Sequence, residues 1–242
     1  MQAPERSRSS KTPKAAQLDL PLRRWGGARK NAGRKPKNGI AAGVAHGTRG
    51  SLSRNHPVHV TMKLRSGLPP LRRAAEHEAL RAAFTKGKKR FGLRLTHYVI
   101  LNDHVHLVVE AAHRDSLRAG LQGLAIRIAR ALNKLWRRKG KVFADRYHDH
   151  VLKTPREVKN ALAYVMGNAT KHAAAGRMVQ QPHPIDRFSS APWASDCFEE
   201  RFTVRGIDIT MRPVADATTW LLRVGWRRHG LLALQTRAAT GA

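Results

Sequence analysis

Asn102-Asp103-His104-Val105-His106-Leu107-Val108-Val109 is the stretch from which the rest of the chain can be read. It is rich in β-branched residues. In a strand, residues i and i+2 point to the same face. His104 and His106 then project side by side, with Val105, Leu107 and Val109 on the opposite face. A rigid strand arranged in this way presents two imidazole nitrogens to one metal ion. Taken alone, His-x-His in a chain with 13 histidines reads as two ordinary strand residues, so its meaning depends on what flanks it.

Upstream, residues 56–64 alternate. Val58, Val60, Met62 and Leu64 face one way and His59, Thr61 and Lys63 the other, the pattern of a half-buried antiparallel strand. Ser66-Gly67 and Pro69-Pro70 punctuate it. Residues 71–84 read as a helix, 86–90 as a basic turn and 93–101 as a second strand. The short Asn102-Asp103 connection makes that strand and the His-x-His strand a hairpin. Downstream, Leu117, Leu121, Leu124, Ile128, Leu132 and Leu135 recur at steps of three and four, which predicts an amphipathic helix ended by Gly140. Residues 141–153 read as a fourth strand. Thr154-Pro155-Arg156-Glu157 then opens a last helix, with Thr154 as N-cap, Pro155 in the first turn and Glu157 completing a capping box. The order β-α-β-β-α-β-α predicts an α+β domain. Its first six elements match a ferredoxin-like split βαβ fold: an antiparallel sheet with helices on one face and the other face free for a ligand.

Three regions are expected: a basic arm over 1–54, the domain over 55–175 and an extension over 176–242. The arm lacks apolar periodicity and is dominated by Gly, Pro, Ser, Lys and Arg, which predicts disorder. Within it, Gly33-Arg34-Lys35-Pro36-Lys37 resembles an AT-hook for a narrow minor groove, although Lys35 interrupts the Gly-Arg-Pro core. The alternative is a solvated tail that binds any phosphate. In the extension, residues 180–193 are Pro-rich and loop-like. The stretch 220–232 is amphipathic, with large apolar groups beside Arg227 and Arg228, and suits a short helical unit that packs back on the domain or grips a DNA hairpin. Gly225 between two short apolar stretches leaves a helix–turn–helix open.

The 242 residues include 46 Lys+Arg against 16 Asp+Glu, a net charge of +30. Such an excess repels itself unless a polyanion compensates it, and nucleic acid is the natural one. No apolar run approaches the roughly 20 residues of a spanning helix, and no signal-peptide pattern opens the chain, so no membrane partner is expected. Cys197 is the only cysteine, which excludes an intrachain disulfide. The expected location is the bacterial cytoplasm, at the nucleoid.

Tyr164-Val165-Met166-Gly167-Asn168 places a phenol and an amide on one helix face, with His172 a further turn along. The Asn168 amide oxygen can serve a hard cation. Two His and one amide suit a divalent ion with positions left open for phosphate oxygens and water, and Tyr164 would sit beside it. The plainer reading is a core ring and a surface amide.

The combined pattern resembles a known family. It runs from Asn102-Asp103-His104-Val105-His106-Leu107 through an Arg-rich helix and Val142-Phe143-Ala144-Asp145-Arg146-Tyr147 to Tyr164-Val165-Met166-Gly167-Asn168-Ala169. It is similar to the HUH single-tyrosine transposases of small bacterial insertion sequences, in particular the REP-associated tyrosine transposases, over roughly residues 56–175. The resemblance implies that His104 and His106 are metal ligands, that Asn168 is the third, and that Tyr164 is the nucleophile. Asp103 replaces the Asn of many relatives and Ala169 their Pro; neither change removes a reacting group. Tyr147 competes with Tyr164 but has no ligand amide one helical turn away.

The implied activity is that of a mobile-element enzyme. Single-stranded, hairpin-bearing DNA is cleaved and rejoined through a covalent 5′-phosphotyrosine, with Mg²⁺ or Mn²⁺ as the ion and two His shifting the choice towards Mn²⁺. A tyrosine nucleophile conserves the phosphodiester energy that water would discard. A phenol of pKa near 10 needs help to lose its proton. Arg118, Arg127, Arg130, Lys134, Arg137 and Arg138 on the helix, with Arg34, Lys35 and Lys37 in the arm, are the candidate DNA contacts. Trp136 and Tyr147 could stack unpaired bases, or Trp136 could be a core residue at the helix end. Two other readings stay open: a domesticated relative that binds structured DNA or RNA without cutting, and an RNA-binding protein with an RRM-like sheet, which here lacks the RRM aromatics. Monomer and homodimer both remain open.

Overall fold

In the computed structural model, which describes residues 49–174 (168–174 as backbone only), 185–204, 206–207 and 210–233, the first alternating segment forms β1, Val58–Lys63. There follow α1 (Ala74–Gly87), a two-residue β2 (Lys89–Arg90), β3 (Leu93–Ile100), β4 (His104–Ala111), α2 (Arg114–Leu135), β5 (His148–Val151) and α3 (Pro155–Ala174). The sheet order is β2-β3-β4-β1-β5, and every neighbouring pair is antiparallel. β1 is inserted between the β3–β4 hairpin and β5. Apart from β2, this is the expected split βαβ sheet.

Two boundaries differ from the sequence reading, and both are set by long-range pairing. α1 begins at Ala74 because the Leu71 amide is already committed to the Asn102 carbonyl, which holds Leu71 in the core beside the hairpin. The expected fourth strand is interrupted. Phe143 bridges to Leu64, the Asp145 carboxylate then accepts from the Arg146 amide, and regular pairing resumes only at β5. The basic turn also pairs: Phe91 and Gly92, at φ 55° and 72°, form a two-residue hairpin loop between β2 and β3. Positive φ at both positions is what such tight hairpins require.

α1 and α2 pack together on one sheet face. Leu80, Phe84, Leu121, Leu124 and Ile128 meet Val58, Val60, Leu95, Leu107 and Val109 there. α2 crosses β3 so closely that a Cβ on Gly120 would stand 2.2 Å from the Leu93 Cβ.

The second face is less open than expected. Val99 and Val108 need apolar cover, and α3 supplies it with Val158, Leu162 and Val165. Burying each of those side chains is worth about 1.5–3 kcal/mol. Leu221, Leu222 and the fully buried Trp226 join them. These last belong to α4 (Trp220–Arg223) and a 3₁₀ turn (Gly225–His229), both too short for a helix–turn–helix. Among the described residues no helix is long and apolar enough to cross a membrane.

Candidate active site

The capping box is formed. Glu157 donates its amide to Thr154 Oγ1 at 3.2 Å, and its carboxylate accepts from the Thr154 and Lys153 amides at 2.9 and 2.7 Å. Satisfying these otherwise unpaired groups fixes where α3 starts and which residues meet the sheet. On the facing strands, Thr61 pairs opposite His106 and Lys63 opposite His104. Cross-strand partners share a face. The polar set of β1, the histidines of β4 and Tyr164 of α3 therefore converge.

Tyr164 Oη lies 3.2 Å from His106 Nε2, with ring centroids 4.9 Å apart. The two imidazoles are 4.7 Å apart, centroid to centroid. Each is tied through its other nitrogen: His106 Nδ1 is 3.0 Å from Thr61 Oγ1, and His104 Nδ1 is 2.6 Å from Asp103 Oδ1. When Nδ1–H donates to these oxygens, the ring lone pair is on Nε2, the ligating atom in such an arrangement. Burial would raise the Asp103 pKa, but the hydrogen bond from His104 and the charges of His104 and Lys63 hold it below the usual carboxylate range. Asp103 thus orients its neighbour as an anion.

Four residues here, Thr61 with His59, His148 and His150, were not among the site residues read from the sequence. His59 stacks on His106 at 5.2 Å and meets Tyr164 edge-on at 5.8 Å. Burial, then the charges of His150 and His148, lowers its pKa to about 4, so the ring is neutral at pH 7. Its Nε2 is buried without a hydrogen-bond partner among the described residues. His150 pairs opposite His59, and His148 opposite Thr61, so β5 extends the histidine face. The alternation of β1 already put His59 and Thr61 on its polar side; only the register brings that side to β4.

No protein-family profile and no curated protein matches the sequence. Among solved structures, one match is described as a REP-associated tyrosine transposase bound to a REP hairpin. The match has a TM-score of 0.51 and 16% identity, and it covers 72% of this chain and 99% of that one. The fold is that of a REP-associated tyrosine transposase. At 16% identity the likeness is one of architecture, so the chemistry rests on the residues themselves.

Within this fold the remaining sequence-predicted residues fall in three places. Asn168 follows Tyr164 by one turn of α3; its side chain and that of His172 lie outside the described residues, as do Arg34, Lys35 and Lys37 of the arm. Among the described residues, no group of three or more His, Cys, Asp or Glu could hold a metal ion. The two imidazoles therefore fit a divalent ion only with a donor of another type, which is what an amide supplies.

The α2 cations lie on the opposite side of the sheet from Tyr164, because α2 packs on the other core. Arg118, Arg130, Lys134 and Arg137 are exposed there. Arg127 is half-buried, and so is Arg138, which donates to Asn133 Oδ1.

The two aromatic candidates are structural. Trp136 donates its Nε1–H to the Glu76 carboxylate at 2.9 Å and packs on the α1–α2 core, so it is the helix-end core residue. Tyr147 packs against that same core under the Arg49 guanidinium, 3.9 Å from the ring centroid. Burial pushes its pKa up.

Proposed function

We propose that this protein is a transposase-type enzyme that cleaves and rejoins single-stranded, hairpin-bearing DNA through Tyr164. The observation that carries the reading is the placement of Tyr164 Oη 3.2 Å from His106 Nε2, at the edge of two imidazoles oriented through their Nδ1 atoms. The net charge of +30 supplies the attraction to a polyanion. The structural neighbour's REP hairpin supports a hairpin-bearing strand as partner, and with such a substrate the protein would work at the bacterial nucleoid.

His104, His106 and Asn168 would hold the Mg²⁺ or Mn²⁺. When bound, the ion polarises the scissile phosphate and offsets its developing charge. Tyr164 is held by its helix against the imidazole edge, so its oxygen reaches the face on which a phosphate would be bound. The phenolic oxygen forms a bond to phosphorus, and the P–O3′ bond breaks. The proton lost by the phenol is balanced by the one gained by the departing 3′-oxygen. A 5′-phosphotyrosine and a free 3′-hydroxyl result, and the reverse attack rejoins the strand. Asp103 and Thr61 hold the two imidazoles by their Nδ1 atoms, an arrangement that suits ligation through Nε2.

The test is incubation with labelled single-stranded DNA from the flanks of its own gene, with Mn²⁺, Mg²⁺ or EDTA, on a denaturing gel. A metal-dependent protein–DNA adduct is expected, lost in Tyr164→Phe and in His104→Ala, with DNA binding kept in Tyr164→Phe. An adduct that persists in Tyr164→Phe excludes Tyr164 as nucleophile. Binding with no adduct from the wild type makes the protein a non-cleaving binder.

A further inference from the structure

The register of β1 on β4 sets out the active-site face in three rows. His59 lies across from Val108, Thr61 from His106 and Lys63 from His104. Successive rows are two residues apart, roughly 7 Å along the strand. Tyr164 belongs to the first two rows: its ring centroid is 5.8 Å from that of His59 and 4.9 Å from that of His106. Lys63 belongs to the third, at the other end of the imidazole pair from the phenol.

Lys63 is exposed at the end of β1. Directly opposed residues on neighbouring strands hold their Cβ atoms about 4.5–5.5 Å apart, so its ammonium can reach the space beside the His104 ring. Its charge acts on Asp103, the residue that holds His104 by Nδ1 at 2.6 Å. The backbone of this row is fixed as well. The Leu64 amide donates to the Asp103 carbonyl at 2.7 Å, and the Ala144 amide to the Lys63 carbonyl at 2.9 Å. On that rigid root, a flexible four-carbon stem carries a compact positive charge with three donors.

Displacement at phosphorus needs the attacking and departing oxygens roughly in line. A phosphate lying against the two imidazoles, attacked by Tyr164 Oη from the His106 end, releases its departing oxygen towards the His104 end. We infer that the Lys63 ammonium donates a hydrogen bond to the departing 3′-oxygen, which makes Lys63 a further catalytic residue that stabilises the leaving group. The inference rests on the proposed phosphotyrosine chemistry. The bond from Tyr164 Oη to phosphorus forms, the P–O3′ bond breaks with its electron pair on the 3′-oxygen, and the ammonium remains protonated. The phenol releases one proton to water and the 3′-oxygen takes one from water. In the rejoining step the same ammonium holds the 3′-oxygen in line for attack on the phosphotyrosine.

The experiment compares two single-stranded substrates, one with the natural 3′-oxygen at the cleaved bond and one with sulfur in its place. A thiolate leaves readily and has little need of a hydrogen-bond donor. Single-turnover adduct formation at saturating DNA and Mn²⁺ is followed on denaturing gels, and DNA affinity in EDTA by fluorescence anisotropy. On the natural substrate, Lys63→Met should slow the adduct about 10²- to 10³-fold, and Lys63→Arg, which keeps a charged donor, should recover part of the rate. On the 3′-thio substrate, Lys63→Met should match the wild type. Lys63→Gln repeats the comparison if Lys63→Met folds poorly, with the thermal midpoint as the check. An unchanged rate in Lys63→Met, or an equal loss on both substrates, overturns the inference. So does a defect that vanishes at saturating Mn²⁺, which would make Lys63 a support for Asp103 alone. A defect confined to affinity and salt slope in EDTA overturns it too, as an ordinary phosphate contact. In each of these cases the wild-type adduct persists and the proposed function stands. No wild-type adduct on either substrate overturns the proposed function and the inference together.

Discussion

Replacing Thr61 by Val removes a hydroxyl and keeps the shape. Thr61 Oγ1 stands 3.0 Å from His106 Nδ1, so Thr61→Val deletes the hydroxyl that holds the His106 ring while leaving a β-branched side chain in β1. The folding cost is that of one side-chain hydrogen bond, about 0.5–1.5 kcal/mol, part of which the strand preference of Val offsets. The functional cost is larger. Losing the partner that orients a ligating His costs about 10- to 100-fold in metal affinity or activity. The assay is adduct formation at a series of Mn²⁺ concentrations. The half-saturating Mn²⁺ concentration should rise about 10- to 100-fold in Thr61→Val, with partial recovery at high metal, while Thr61→Ser should track the wild type. Superimposable curves for wild type and Thr61→Val would refute the view that Thr61 orients His106.

Gly120→Ala should lower stability by about 1–3 kcal/mol, because the new methyl meets the Leu93 Cβ at 2.2 Å and that atom is anchored to β3; a urea midpoint at or above the wild type would contradict it. Trp136→Phe keeps a ring on the core but loses the bond to Glu76, so unfolding should come at lower denaturant while single-stranded DNA affinity stays unchanged. The buried His97 imposes a pH dependence: burial, then the Arg212 charge, lowers its pKa to about 4 from 6.5. The native state then binds fewer protons than the unfolded chain between those values. Stability is whole above pH 6.5 and is lost as pH falls towards 4, at up to about 1.4 kcal/mol per pH unit for this group. His77 adds the same sign through its own lowered pKa, and equal urea midpoints at pH 7.5 and 5 would show that neither ring is buried neutral.

The element order was legible because its signals are local. The alternation of β1, the leucine spacing of α2 and the capping box at Thr154 each lie within about one element, and each is found in place. What was not legible depends on partners distant in sequence. No local pattern says that the Leu71 amide will be taken by Asn102, delaying α1, or that Asp145 will break the fourth strand. The apolar set of α3 marks it as one-sided, but that it closes over Val99 and Val108 is a tertiary fact, and so the second face is partly covered.

The same division runs through the site. His104 beside His106, and Tyr164 one turn before Asn168, are relations inside single elements, and sequence spacing gives them directly. Thr61, His59, His148 and His150 join the site through the pairing of three strands, and a one-residue slip of β1 would send its polar set into the core instead. Charge alone does not say which face of the sheet a cation serves. The arginines of α2 stand out in the sequence as DNA contacts, yet the sheet separates them from Tyr164, since α2 packs on one core and α3 on the other. Arg94 pairs with Glu110 on β4 without standing out in the sequence, because it lies in no basic run that marks a helix face. A DNA segment that touched both α2 and Tyr164 would have to pass around an edge of the sheet. On the proposed function, the α2 arginines would act on DNA affinity from the far side of the sheet rather than at Tyr164.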